Sequence, residues 1–247
     1  MPTKIQLTLE TKDRTEDREF VVSRMFNYGS AVKDPEFVRK HHAEVNKLGI
    51  VLPNRGVLPR MYHLSDWNLT TADEITVQGN ETSGEAELVF LDDGGEILVG
   101  VGSDHTDRKL EKFSIHYGKQ VCQNVLAPKV WLLSEIEDHL DRIVMECETE
   151  TAGVKALYQR VNVDVFMEPR KLMGLVYERT SVPRGSGVVL FSGTVPTIDN
   201  ALYYADTWTI RLTDTLLNRS IEHTYSVKRL NEEVQAEHNL PLFLADW

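Results

Sequence analysis

Three acidic residues carry the most specific chemistry in this chain. Glu85-Ala86-Glu87 opens an apolar run that reads as a β-strand. Residues i and i+2 of a strand project from one face. Two carboxylates held side by side repel, and each raises the other's pKa unless a cation sits between them. Mg2+ and similar hard cations take oxygen ligands of this kind. Spacing alone does not decide the matter, because Glu135/Glu137, Glu146/Glu148 and Glu148/Glu150 share it. Those pairs fall on or beside a segment that reads as a solvated helix. Glu85 and Glu87 are set apart by the residues C-terminal to them. Leu88–Leu91 and Ile97–Val101 flank Asp92-Asp93-Gly94-Gly95, a hairpin signal. The second strand runs into Gly102-Ser103-Asp104-His105-Thr106-Asp107-Arg108, whose glycine permits a tight turn. The hairpin returns Asp104 toward the first strand, where it can join the pair as a third carboxylate. The alternative is a polar turn in which Asp104 and Thr106 bond local amides.

The elements that must position these residues are those of a β-rich chain. Ile5, Leu7 and Leu9 alternate with polar residues as in a half-buried strand, and Glu19–Val22 can return as its partner. Asp34 and Pro35 can start a helix on which Phe37, His41, Val45 and Leu48 share a face, with Gly49 ending it. Pro53, Gly56 and Pro59 mark residues 50–70 as an irregular crossing segment. Ile75 and Val77 alternate as a strand. The spacing predicts a helix over Trp131–Met145 and a shorter one over Pro169–Tyr177. Val188–Phe191 reads as a buried strand, and Trp208, Ile210, Leu212 and then Ile221–Val227 alternate as strands. The fold class is mainly β with α, an α+β chain, with strands too irregularly spaced for a doubly wound sheet. Residues 1–70 read as N-terminal strands with a helix region, and 71–247 as a β-rich domain.

Composition narrows the function classes. The chain has 247 residues, 41% of them hydrophobic and 26% charged, which is ordinary globular usage. Acidic residues outnumber basic ones, 38 to 27, for a net charge of -11, and no basic stripe invites nucleic acid. No apolar run approaches the ~18 residues of a membrane span. The start, Met1-Pro2-Thr3-Lys4, carries no apolar signal segment, so a cytoplasmic location is expected. Cys122 and Cys147 make no disulfide framework, and no Cys/His spacing suits structural zinc. Arg184-Gly185-Ser186-Gly187 is an incomplete nucleophile elbow, and Gly100-Val101-Gly102 lacks the third glycine of a dinucleotide loop.

Four blocks in order carry a resemblance. They are Ser83-Gly84-Glu85-Ala86-Glu87, Gly102-Ser103-Asp104-His105-Thr106-Asp107-Arg108-Lys109-Leu110-Glu111, Gly118-Lys119-Gln120, and Val188 to Pro196 through Ser192-Gly193-Thr194-Val195. Over residues 83–196 the chain resembles the fumarylacetoacetate hydrolase superfamily, in an uncharacterised branch with SGE-x-E and GSDHTDR motifs. It departs from the family pattern in Lys109, which replaces an acid, Glu111, which replaces a glutamine, and Val195, inserted before Pro196. The resemblance implies a mixed, rolled β-sandwich with a small N-terminal lid region, in a homodimer. It implies Mg2+ or Mn2+ held by Glu85, Glu87 and Asp104, and a small oxo acid substrate that chelates the metal through two oxygens.

The resemblance also assigns roles around that centre. Relatives carry a His-x-x-Glu pair on a lid helix, and His41 and Glu44 supply it here, with His42 as the rival base. Positions i and i+3 share a helix face, so Glu44 can orient His41 to take a proton from water. Arg108 and Lys119 can bind a substrate carboxylate, and Lys119 can stabilise an oxyanion. The alternatives are a structural ion pair for Arg108 and a surface cation for Lys119. Gln120, Thr194 and Tyr62 are further substrate-binding candidates, Tyr62 because it replaces a pocket-lining residue of relatives. The expected reaction is hydrolysis of a C–C bond in a diketo or acylpyruvate-like acid, through an enolate whose charge the metal and Lys119 spread. The alternatives are decarboxylation, dehydration or keto-enol isomerisation of a 2-oxo acid, and a non-catalytic metabolite-binding protein.

Overall fold

A computed structural model describes residues 2–34, 36, 38–39, 58–235, 238 and 241–242. The chain starts with β1 (Thr3–Glu10) and β2 (Thr15–Val22), an antiparallel pair along their full length, as their alternation predicts. Next come β3 (Arg24–Gly29), β4 (Arg60–Leu64), β5 (Leu69–Thr70), β6 (Glu74–Val77) and β7 (Thr82–Ser83). The expected hairpin forms as β8 (Ala86–Asp93) and β9 (Glu96–Ser103), with Gly94 and Gly95 turning at positive φ. It is followed by β10 (Thr106–Asp107), α1 (Arg108–Glu111), α2 (Ile115–Gln120), β11 (Asn124–Leu126) and β12 (Lys129–Leu132). After α3 (Leu133–Ile136) and a 3-10 turn come β13 (Ile143–Thr151), β14 (Val154–Asn162), α4 (Pro169–Arg179), β15 (Val188–Phe191), β16 (Thr207–Asp214) and β17 (Arg219–Arg229).

The larger sheet runs β2-β1-β12-β9-β8-β15-β3-β4, with β11 and β5 extending from β9. Strands from residues 3–70 therefore sit in the same sheet as the β8–β9 hairpin. Two parallel pairs (β1 with β12, β15 with β3) occur among antiparallel ones, so the sheet is mixed. One of its faces supplies a single apolar cluster that includes Leu7, Phe20, Met25, Leu64, Val89, Leu98, Val130 and Phe191. Those residues come from strands spread across the sheet and pack on each other and on Leu132, and the sheet curls around them. Its other face packs on the second sheet, β14-β13-β16-β17-β6, through Leu88, Phe90, Val101, Met145, Trp208, Ile210 and Tyr225. Burial on both faces explains why Val188–Phe191 is an unbroken apolar run. The α+β class and the rolled, mixed β-sandwich implied by the resemblance are the fold observed.

Two local expectations are corrected. No helix spans Trp131–Met145. Trp131 pairs with Val99 inside the larger sheet, and Ile143, Met145 and Cys147 are buried at strand period 2 in β13. Only Leu133–Ile136 and the 3-10 turn Glu137–Arg142 remain helical. The 3.6-residue spacing was real, but each end lies where a sheet needed a strand. The stretch 50–70 is not irregular where it is described, since it holds β4 and β5. The helix expected over residues 169–177 is present as α4. Among the described residues, no helix is long and apolar enough to cross a membrane.

Candidate metal centre

The open end of the β8–β9 hairpin assembles the centre. Glu87 stands opposite Gly102 in the ladder, and Asp104 N–H donates to the Glu85 carbonyl at 3.0 Å just beyond it. Asp104 is thus clamped against the residue two before Glu87. All three side chains are buried, and ligand-capable oxygens of Glu85, Glu87 and Asp104 lie within 4.8 Å of one another. A hard cation with oxygens at about 2.1–2.6 Å spans such a set. Thr106 Oγ1 makes only long contacts to Asp104, 3.3 Å to its carbonyl and 3.4 Å to Oδ1. The local-turn alternative survives as that minor feature.

Each carboxylate gives one oxygen to the protein. Glu85 Oε1 lies 2.8 Å from Arg108 Nη2, Glu87 Oε2 accepts from Gly193 N–H at 2.8 Å, and Asp104 Oδ2 is against Lys119 Nζ. The second oxygens of Glu85 and Glu87, and Asp104 Oδ1 with its one long contact from Thr106, remain for a cation, and three carboxylate oxygens are the donor set that Mg2+ or Mn2+ favours. Gly193 can aim its N–H at Glu87 because its φ is +84°, and a Cβ there would sit 2.7 Å from the Tyr28 carbonyl. Burial and then the Asp104 charge push the Glu87 carboxyl well above the usual range, against the pull of Lys119. Such a group is held ionised at little cost only when a positive charge joins it.

Lys119 is a buried group, not a surface cation. Asp107 caps α1 by accepting from Leu110 N–H, and Ser114 caps α2 from Tyr117 N–H. The two short helices then touch at Gly118, where a Cβ would lie 2.9 Å from Glu111 Cα and 3.0 Å from the Asp107 carbonyl. The missing side chain lets α2 settle on α1, and the next residue, Lys119, enters the centre. Burial opposes its charge, but Asp104 and Glu85 more than offset this and hold the ammonium above its ordinary range. Arg108 takes the ion-pair geometry. Its Nε donates to Ser83 Oγ at 2.6 Å, Nη1 meets Glu111 Oε2 at 2.9 Å, and Nη2 faces Glu85. Burial works against its charge too, and the two glutamates hold it charged.

Beside the carboxylates lies an open-mouthed cleft with a cavity volume of about 60 Å³. Glu85, Glu87, Arg108, Lys119, Tyr62 and Thr194 line it, with Tyr28, Gly29, Ser30, Arg60, Glu111 and Ile115. Tyr62 reaches in across Gly29, and its ring centroid is 5.8 Å from Lys119 Nζ. Gln120 is not on the cleft wall. Its Oε1 accepts from Ser65 N–H at 2.9 Å and fastens α2 to the segment after β4. Thr194 Oγ1 donates to the Ala86 carbonyl at 3.2 Å and accepts from Gln159 Nε2 at 2.7 Å. His41, His42 and Glu44 lie outside the described residues. Sequence reasoning missed Arg60 and Gln159. Arg60 was detectable, since it stands two residues before Tyr62 and shares its strand face. Gln159 bridges Ala86 N–H and the Val195 carbonyl from a distant strand, which no local signal announces.

Residues 29–225 match the family described as "Protein of unknown function (DUF2848)". The chain belongs to this family. No functionally curated protein matches it by sequence. Among solved structures, it is similar to Cg1458 with inhibitor, at 15% identity and a TM-score of 0.58, over 92% of this chain and 89% of that one. It is also similar to 2-keto-3-deoxy-D-arabinonate dehydratase complexed with magnesium and 2,5-dioxopentanoate, at 15% identity and a TM-score of 0.56, over 86% and 76%. At these identities the likeness is one of fold.

Proposed function

We propose that this chain is a divalent-metal-dependent enzyme that works on a small 2-oxo acid through its enolate. The observation that carries the reading is the convergence of Glu85, Glu87 and Asp104, each with one oxygen held by the protein. Mg2+ or Mn2+ bound there would act as a Lewis acid on two substrate oxygens. Lys119, buried and held charged beside Asp104, offers an ammonium to the negative charge that develops on the substrate. Arg108 acts at one remove by fixing Glu85. Tyr62 supplies an aromatic wall and a hydroxyl along the cleft.

The finer reading is hydrolysis of a C–C bond in a diketo or acylpyruvate-like acid, with His41, oriented by Glu44, taking the proton from water. Sequence order and the resemblance support it. The second reading is dehydration or decarboxylation, which needs the same enolate but not that dyad. The fold shared with a dehydratase solved with magnesium and 2,5-dioxopentanoate favours it. His41→Ala separates the two: lost turnover of acylpyruvates supports hydrolysis, and full retention overturns it. For the metal itself, thermal unfolding with Mg2+ or Mn2+ at 100 times its Kd should show about 2.7 kcal/mol of added stability. No response to either ion, with or without oxalate, would overturn the reading. A homodimer is part of the proposal, with exposed Phe113, Tyr117 and Val121 at i, i+4 and i+8 as its support. A monomer mass by sedimentation would remove it.

A further inference from the structure

The two residues that flank Asp104 are held by a tyrosine of the other sheet. Tyr225 lies on β17 and is fully buried against the segment that leaves β9. Its hydroxyl is 2.7 Å from Ser103 Oγ and 3.1 Å from His105 Nδ1. Asp104, between them, turns toward Lys119 and the two glutamates. One hydroxyl thus grips the chain on both sides of one carboxylate. A phenol can donate one hydrogen bond and accept another, so it can bridge the pair in either direction.

The grip reaches a second carboxylate. Ser103 Oγ also accepts from Glu85 N–H at 3.2 Å. On the other side, His105 Nε2 is 2.9 Å from Thr82 Oγ1, and its ring stands edge-on to Tyr225 and Trp208. Thr82, Ser103, His105 and Tyr225 are all buried, so bulk water does not compete for these bonds. Gly84 completes the arrangement. A Cβ there would lie 2.5 Å from the Tyr225 hydroxyl and 2.6 Å from Ser103 Oγ, so a glycine before Glu85 leaves the hydroxyl its place. Carboxylates brought together repel, and the frame that holds their backbones resists their spreading. Hydrogen bonds just outside a metal's ligands orient those ligands, and losing one weakens metal affinity about 10–100-fold.

Resting on the metal-site reading above, we infer that Tyr225 is a positioning residue for the metal centre: its hydroxyl fixes the residues on either side of Asp104 and, through Ser103, the backbone of Glu85. Mg2+ is titrated by calorimetry into the full chain, with Mn2+ as a second probe, at a temperature where circular dichroism shows each variant folded. Tyr225→Phe keeps the ring, removes the hydroxyl, and should raise the Mg2+ Kd at least about tenfold. Tyr177→Phe removes a hydroxyl bonded to Asp92 at the closed end of the same hairpin, and should leave the Kd within about twofold. A merely structural role would lower the Tm of both variants and move neither Kd. Ser103→Ala cuts the link to Tyr225 from the other side and should also weaken Mg2+. With both changes the loss should fall well short of the product of the single losses, because they break one link. Three results overturn the inference and leave the metal reading standing. One is an unchanged Mg2+ Kd in Tyr225→Phe or, should that variant not fold, in Ser103→Ala. Another is an equal loss in Tyr177→Phe, and the third is a full product in the double variant. Absence of Mg2+ and Mn2+ binding in wild type brings down both.

Discussion

Two Glu-x-Glu pairs in this protein share spacing and strand setting, and differ in everything else. Glu85 and Glu87 open β8 in the interior. Glu146 and Glu148 lie on β13, facing Arg211 on the neighbouring strand at 3.6 Å each, with Arg160 3.3 Å from Glu146. The second pair stays partly in water and meets cations on long, mobile stems, which is the usual outcome on a sheet surface. The first pair is buried beside a third carboxylate, with one arginine and one lysine that other groups already hold. Strand periodicity places two carboxylates on one face in both cases. Only burial makes their repulsion matter, because low dielectric magnifies it and water is not there to relieve it. The lesson is that the chemical character of a carboxylate pair lies in what surrounds it.

The largest effect expected from this contrast is at the centre. Asp104→Asn and Glu87→Gln should each abolish the Mg2+-induced rise in Tm and lower turnover at least about 10^3-fold, several kcal/mol of transition-state stabilisation. Glu146→Gln in the same assay serves as the surface counterpart, and a comparable loss there would break the comparison. Next comes Arg108→Met, which strands Glu85 and Glu111 as unpaired buried charges. Denaturant unfolding should show a loss of about 3–5 kcal/mol.

A third prediction concerns pH. His105 is fully buried between Thr82 Oγ1 (2.9 Å) and Tyr225 OH (3.1 Å), and burial pushes its pKa down to about 3. The unfolded chain therefore binds a proton that the folded chain refuses. The stability from neutral His105 is complete above pH ~6.5 and falls as pH drops toward about 3, at about 1.4 kcal/mol per pH unit. His105→Asn should flatten the wild-type curve between pH 6.5 and 4.5 by about 2–3 kcal/mol. Equal slopes in the two proteins would refute this. Gly118→Ala should cost about 1–3 kcal/mol by forcing α2 off α1. It should also weaken metal binding, because Lys119 moves with the helix. At the small end, Glu148→Gln should change stability by under about 1 kcal/mol and leave the metal response untouched.

Much of the fold and site was legible in order along the chain. The hairpin β8–β9 was visible because its turn residues and flanking apolar runs are local. Asp104 was traceable to Glu85 and Glu87 through that hairpin alone. The false helix over residues 131–145 shows where local reading ends, since its two ends were drawn into different sheets by partners far away in sequence. Arg108 shows the same limit at one residue. Its type suggested a substrate clamp, and helix spacing allows its pair with Glu111, three residues on, but its contact with Glu85, distant in sequence, exists only in the folded chain.

The sequence by itself determined the carboxylate triad, the glycine before Lys119 and the strand pattern that carries them, because hairpins, caps and alternation act over a few residues. The tertiary structure alone decided which carboxylate pair is dry, which cations line the cleft, and where Thr194 and Gln159 tie the wall. Those outcomes depend on burial, and burial is a property of the whole packed chain.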